Sequence, residues 1–417
     1  MSGLLFKYAR ISYLIILFLS ITIPTALQPL KMGLLALCLG FALMSYIGNN
    51  SIAKISKGIL ISCLIFSIIG VMWSLYGLFR VNPGAINVIT VYGIYPLLAL
   101  VLLPLYREGD IYKLRSFFIF CCVTIAAIQI LFILSGIGLD GGFIFSIFKY
   151  MYGEVAVVNN GEGKYLLFTL PNVASLLFLI PFLCTDFLAK KTVAKAALII
   201  ILCSLMLLTG RRALFVVVAM GGVLAVYFLG KIIPFYRRKV LAIAIISMPI
   251  ICIILYAAVD FNSMSTQLFI EQVTSILNFK TDDSNLERVY QFEALIDGVI
   301  NSPIVGAGGG AAASYLRSET QPWTYELYYI ALMFQYGLVV FSAYVAGVIY
   351  IAVRLYKFIL LKNLGRHINI SIASYLVGYL CFIIASATNP YLAKFDYVWV
   401  IFIPTAIINY YICNKKI

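Results

Sequence analysis

Charge is scarce in this chain of 417 residues: Asp, Glu, Lys and Arg make up 11%, against 63% hydrophobic residues and a mean hydropathy of +1.03. No soluble domain of that size could hide so much apolar surface, so composition excludes a soluble globular class and leaves an integral membrane protein. Histidine is rarer still, with His367 alone. The nine cysteines all fall within apolar runs, which excludes a disulfide-stapled loop, and no Cys/His cluster has zinc-ligand spacing. No Asp-x-Asp pair occurs, so neither a metal nor any other cofactor is expected. The run Gly306-Ala307-Gly308-Gly309-Gly310 lacks the Gly-Lys-Ser/Thr ending of a nucleotide loop and reads instead as a close backbone approach or a hinge.

What is present is a succession of apolar runs of spanning length, at about 20 residues each. They lie near 11–30, 32–48, 58–79, 85–106, 116–137, 165–188, 194–210, 212–230, 240–259, 325–353, 368–388 and 395–413. Spans with charges between them mean helices rather than a barrel. The expectation is an all-α polytopic protein of about 12 transmembrane helices, one membrane domain over residues 1–417 with no internal repeat. The first span follows Lys7 and Arg10 as a signal peptide would, but without a small-residue cleavage site it reads as a retained helix.

The basic excess tests that count. With the N-terminus in the cytoplasm, inside segments carry twenty of the thirty basic residues and three of the sixteen acids. That makes the inside +17 and the outside −3, which together give the formal +14. The basic balance is thus a topology signal of the positive-inside kind, not a nucleic-acid footprint. Both termini are expected to be cytoplasmic, and two segments face out, 138–164 and the larger 260–324.

The larger segment holds half of all the acids. Ser284-x-x-Glu287 reads as a capping box opening a helix, with Leu286, Val289, Phe292, Leu295, Ile296 and Val299 as its apolar face and Pro303 ending it. An earlier amphipathic helix is expected over Met264–Leu277, so the segment reads as two helices and a glycine hinge covering the outer face. In the smaller segment, Phe143–Tyr152 reads as a short interfacial helix between turn residues.

Arginines outside run against the topology rule, which makes them candidates. Thr209-Gly210-Arg211-Arg212 is the whole connection between two spans, and a guanidinium fork suits bidentate phosphate binding. Arg211 and Arg212, completed by Arg288, Arg317 and Arg80, read as a pyrophosphate clamp or as helix-end cations reaching lipid phosphates. Glu326, the acid nearest the start of a span, reads as a general base for a sugar hydroxyl or as a structural partner of those arginines. Trp323 and Tyr325 read as sugar-stacking faces or as an interfacial aromatic belt. The spans carry hardly any charge, with Gln129 and Asn172 as their deepest polar side chains, which argues against an ion-coupled transporter.

Three stretches resemble the O-antigen polymerase and O-antigen ligase superfamily of bacterial membrane glycosyltransferases. They are Thr209-Gly210-Arg211-Arg212; Asn285-Leu286-Glu287-Arg288 through Asn301-Ser302-Pro303-Ile304-Val305-Gly306-Ala307-Gly308; and Glu326 to Gly337. The resemblance implies undecaprenyl-pyrophosphate-linked glycans as donor and acceptor, with Arg211 or Arg212 and Arg288 on the lipid pyrophosphate. The ligase branch carries a histidine near the end of its large loop. Here that neighbourhood is Tyr325-Glu326, which shifts the expectation to a polymerase of repeat units, for O-antigen or a related surface polysaccharide, in the inner membrane. A chain-length regulator and a flippase are the protein partners this implies. The competing readings are a lipid-linked oligosaccharide flippase and the ligase itself.

Overall fold

The computed structural model describes residues 2–48, 54–137, 142–153, 157–161, 165–209, 212–233 and 283–415. Among these, eight helices are long and apolar enough to cross a membrane, and they overlap eight of the twelve expected spans, although the first, expected at 11–30, runs from Gly3 to Thr22. Three further expected spans are shorter apolar helices, Val193–Met206, Val216–Ile232 and Trp399–Asn414. The expected span at 240–259 and the expected helix at Met264–Leu277 lie outside the described residues. The protein is an all-α polytopic membrane protein whose helices divide into two compact units.

Unit 1 comprises Met1–Leu114, Leu286–Leu355 and Phe382–Ile417. It contains α1 (Ser2–Thr22), α2 (Gln28–Gly48), α3 (Lys57–Phe79) and a span broken into α4 (Ala85–Ile89), a π-turn (Thr90–Ile94) and α5 (Tyr95–Leu102). Helices α1 and α2 form an antiparallel pair. The turn between them forces Thr25 and Leu27 to positive φ (65° and 56°), a strained state for residues with a Cβ. A buried carboxylate offsets that strain. Asp396 accepts from the Thr25 N–H (2.8 Å) and the Gln28 side chain (2.8 Å), and pairs with Lys31 Nζ (2.6 Å). Lys31 also donates to the Ile23 carbonyl (2.7 Å). Lys31 and Asp396 are 0% and 2% exposed, so each charge depends on the other for its compensation. Near the middle of α1, Arg10 pairs with Asp110, which also accepts from the Arg107 backbone N–H (2.7 Å).

Unit 2 comprises Arg115–Asn285 and Tyr356–Cys381. It holds most of α6 (Asp110–Gly136), then α7 (Phe143–Tyr152), α8 (Leu176–Ala189), α9 (Val193–Leu207) and α10 (Arg212–Ile232). Helix α7 falls on the expected residues. It packs Phe145 and Phe148 on Phe132 of α6 and leaves Phe143 and Tyr150 exposed. Asp186, fully buried near the end of α8, is an ion-pair partner of Arg115 and of Lys195 (2.7 Å).

The apolar run expected to begin a span at Tyr165 starts differently. Tyr165–Thr169 is a strand, β2, paired antiparallel with β1 (Val157–Gly161), and the span begins at Pro171. A short run such as Tyr-Leu-Leu-Phe-Thr carries no periodicity that separates strand from helix, and Asn159-Asn160-Gly161, expected as turn residues, are paired within β1.

Candidate functional site

The site is built in unit 1 on α11 (Asp283–Asn301), the coil 302–327 and the first turns of α12 (Tyr328–Leu360). Helix α11 starts at Asp283, one residue before the expected cap, and the Ser284 side chain lies outside the described ones. Its buried face keeps only the second half of the one the apolar pattern picks. Leu295 (0% exposed) and Val299 pack onto Ala311, Tyr325, Ala331 and Phe334, while Leu286, Val289 and Phe292 are exposed. The inward face reads Arg288, Gln291, Leu295, Val299, at i, i+3, i+7, i+11, so one polar turn and one apolar turn share it.

That polar turn meets the start of α12. Arg288 Nε donates to Glu326 Oε2 (2.8 Å), and Arg317 pairs with Glu326 Oε1 (3.0 Å). Both oxygens of the carboxylate are therefore engaged by guanidinium groups. The side chains of Arg288, Arg317 and Glu326 remain 31%, 34% and 14% exposed, open enough for an anionic ligand to reach the cations. Gln291, fully buried, fixes the geometry from beneath. Its Oε1 accepts from the Glu326 backbone N–H (2.8 Å), and its Nε2 donates to Glu287 (3.5 Å). The sequence reading passed over Gln291. The available signal was its position, one turn after Arg288 on a face that turns apolar.

The coil between α11 and α12 is fastened at every glycine. Helix α12 breaks at Gly337 (φ 74°, ψ 170°), and into the break fit the Ala307 and Gly308 N–H groups, donating to the Phe334 and Gln335 carbonyls (2.8 and 3.0 Å). A Cβ on Gly337 would collide with the Ile304 carbonyl oxygen. On its other side the run meets α3: Gly309 N–H donates to Trp73 O (2.9 Å), Trp73 Nε1 to Val305 O (2.7 Å), and Asn82 Nδ2 to Ala307 O (3.1 Å). Of the two glycine readings, close approach is what the geometry realises; the run is a packed junction.

The remaining candidates lie as follows. Tyr325 is 1% exposed, its ring in the core beneath α11 and its hydroxyl accepting from the Ala313 N–H (2.6 Å); burial raises its phenol above the ordinary range. Trp323 is half-buried against Gly84, where a Cβ would strike the indole, and its carbonyl accepts from Gln335 Nε2 (2.9 Å). Arg80 caps α3, is exposed and stands 5.9 Å from the Tyr76 ring; its turn is tied to the junction through Asn82 and through Gly84, which donates to Gly310 O (3.0 Å).

Arg211 lies outside the described residues, and Arg212 opens α10 with its side chain likewise outside. The turn leading to them, in unit 2, is braced by the hairpin. Phe168 N–H donates to Leu208 O (2.9 Å), and Thr169 Oγ1 to Thr209 O (3.0 Å). His367 is exposed near the start of α13 (Arg366–Ala385).

The arrangement around Glu326 can hold an anion between two guanidiniums and present a carboxylate beside it. No curated protein matches the chain. Residues 196–345, which contain Arg211, Arg212, Arg288, Arg317 and Glu326, match the family model described as O-antigen ligase, and that match is consistent with an enzyme of the O-antigen polymerase and ligase superfamily.

Proposed function

We propose that this chain polymerises undecaprenyl-pyrophosphate-linked oligosaccharide repeat units at the outer face of the bacterial inner membrane. Residues 138–164 and 260–324 then face outward and both termini lie inside, a reading the charge distribution supports. One observation carries the reading: Arg288 and Arg317 converge on a single carboxylate, Glu326, at the entrance to a span. Two partly exposed cations held by a carboxylate form a preorganised anion site in which Glu326 occupies the position an incoming anion would take.

In the reaction, a sugar hydroxyl of one lipid-linked unit attacks the anomeric carbon of the growing chain. The bond from that carbon to the pyrophosphate oxygen breaks, and the electron pair leaves with the pyrophosphate. Arg288 and Arg317 stabilise the charge that develops there, with Arg80 of the same unit as a further phosphate contact. As the arginines turn to the pyrophosphate, the Glu326 oxygens are released to accept the hydroxyl proton. Trp323 shapes the sugar side; Tyr325, expected beside it, is buried beneath α11 and only supports the turn that carries Glu326. The energy resides in the pyrophosphate linkage, so no nucleotide is needed. A chain-length regulator and a flippase would be its partners.

The test is a gel of surface glycan from a deletion strain complemented with wild type, Arg288→Ala or Glu326→Gln. Deletion leaves glycan capped by a single repeat unit, wild type restores the ladder, and each variant shortens or abolishes it. Loss of all glycan on deletion, single units included, overturns the polymerase in favour of the ligase or flippase.

A further inference from the structure

We propose that Gln335 is a positioning residue for Arg317: it closes residues 311–323 into a loop with Arg317 at its midpoint, and so sets where the second cation of the Glu326 site stands. This rests on the polymerase reading for the use made of Arg317, not for how Arg317 is held.

The two arginines reach Glu326 from unlike supports. Arg288 stands on α11, whose backbone fixes its origin. Arg317 stands in the coil between α11 and α12, among bends and turns. Its own pair with Glu326 (3.0 Å) joins side chains that are 34% and 14% exposed. So wet an ion pair is too weak to offset the entropy lost in ordering a free loop of this length. The loop is therefore ordered from elsewhere.

The fastening is one buried amide. Gln335 on α12, 5% exposed, donates both hydrogens of Nε2 to the two ends of the loop, the Ala311 carbonyl (3.2 Å) and the Trp323 carbonyl (2.9 Å). With both ends joined at a single atom the segment has the form of an Ω-loop, and Arg317 lies halfway round it. Lesser bonds shape its limbs. The Ala313 N–H donates to the Tyr325 hydroxyl (2.6 Å) on one limb. On the other, the Gln321 N–H donates to Ser318 Oγ (3.3 Å) and Thr324 Oγ1 to the Gln321 carbonyl (2.8 Å). Gln335 is itself anchored, because its carbonyl accepts from the Gly308 N–H (3.0 Å) just before the break at Gly337. Packing alone would accept a methionine at this position; only the loop requires an amide.

Limited trypsin digestion of the full-length protein in detergent reads Arg317 directly. The protease must draw that side chain out of its pair with Glu326 and the flanking backbone out of the loop. Peptide mass spectrometry gives the cleavage rate after Arg317 and, as an internal control, after Arg288 in α11. Gln335→Met keeps the volume and removes both donors. It is expected to raise the rate after Arg317 about tenfold, since cleavage follows the population of the opened loop, and to leave the rate after Arg288 unchanged. Gln335→Glu, isosteric with the amide but with at most one donor, is read where size-exclusion chromatography shows that Gln335→Met fails to fold. An unchanged rate after Arg317 in the folded variant overturns the proposal. So does an equal rise after Arg288, which marks general loosening.

In the complemented deletion strain, Gln335→Met is expected to shorten the glycan ladder as Arg317→Ala does, and the double variant to shorten it no further, since one residue acts through the other. A double variant shorter than either single one overturns the proposal, because Gln335 then acts by another route. A freed Arg317 with an undiminished ladder refutes the use of Arg317 in polymerisation and leaves its positioning by Gln335 standing.

Discussion

At the scale of single residues, the site turns on one carboxylate with two cationic partners. Replacing Arg317 by Lys keeps the charge but loses the planar fork, so glycan ladders are expected to shorten while protein levels hold. Gln291 is a stronger structural test. Gln291→Leu leaves the Glu326 N–H buried without an acceptor, at a cost of about 1–3 kcal/mol, and a lowered unfolding midpoint in detergent would register it. Tyr325 gives a pH-dependent test. Burial holds its phenol pKa above the ordinary tyrosine range in the folded state, so it contributes stability at neutral pH that is lost as pH rises through the folded pKa. Tyr325→Phe should therefore lose less stability than wild type between neutral pH and strongly alkaline pH, measured by thermal unfolding across that range. The arginines and Glu326 were legible in the sequence because charge at a span entrance is conspicuous. Gln291 was not, since an uncharged amide within a helix stands out only once its partners are known.

At the scale of elements, periodicity located the helices and missed how two of them are used. The boundaries of α3 and α7 follow from apolar runs and turn residues alone. The inward face of α11 does not, because Leu286, Val289 and Phe292 obey the helical period and yet are exposed. In a membrane protein an apolar stripe can face lipid as well as core, so the period gives the helix and leaves its rotation open. The hairpin was hidden for a related reason: the five residues of β2 are too few to display a period. The break in α12 yields a sharp prediction. Gly337 adopts a backbone conformation that is essentially confined to glycine, costing other residues about 1–3 kcal/mol, and a side chain there would also strike the Ile304 carbonyl. Gly337→Ala should reduce the folded yield sharply, read by size-exclusion chromatography, whereas Gly40→Ala, with open space around it, should not.

For the whole molecule, composition and the positive-inside count were enough to reach a polytopic helical protein. They did not reveal the partner of Lys31, because a pairing between distant positions leaves no local pattern. Breaking the Lys31–Asp396 pair should expose how much rests on it. Lys31→Met alone strands a buried carboxylate, and its cost should be about 3–5 kcal/mol, whereas Lys31→Met with Asp396→Leu should recover part of that, compared by unfolding midpoint. The pair also bears on how the protein is made. A chain emerges from the ribosome in order, and Lys31 is synthesised 365 residues before the acid that neutralises it. Throughout that interval the α1–α2 turn holds a lysine without its counter-ion and two strained residues without their anchor. The α1–α2 hairpin is therefore among the last parts to settle. A ribosome that stops short of Asp396 releases a product whose uncompensated charge marks it as unfinished.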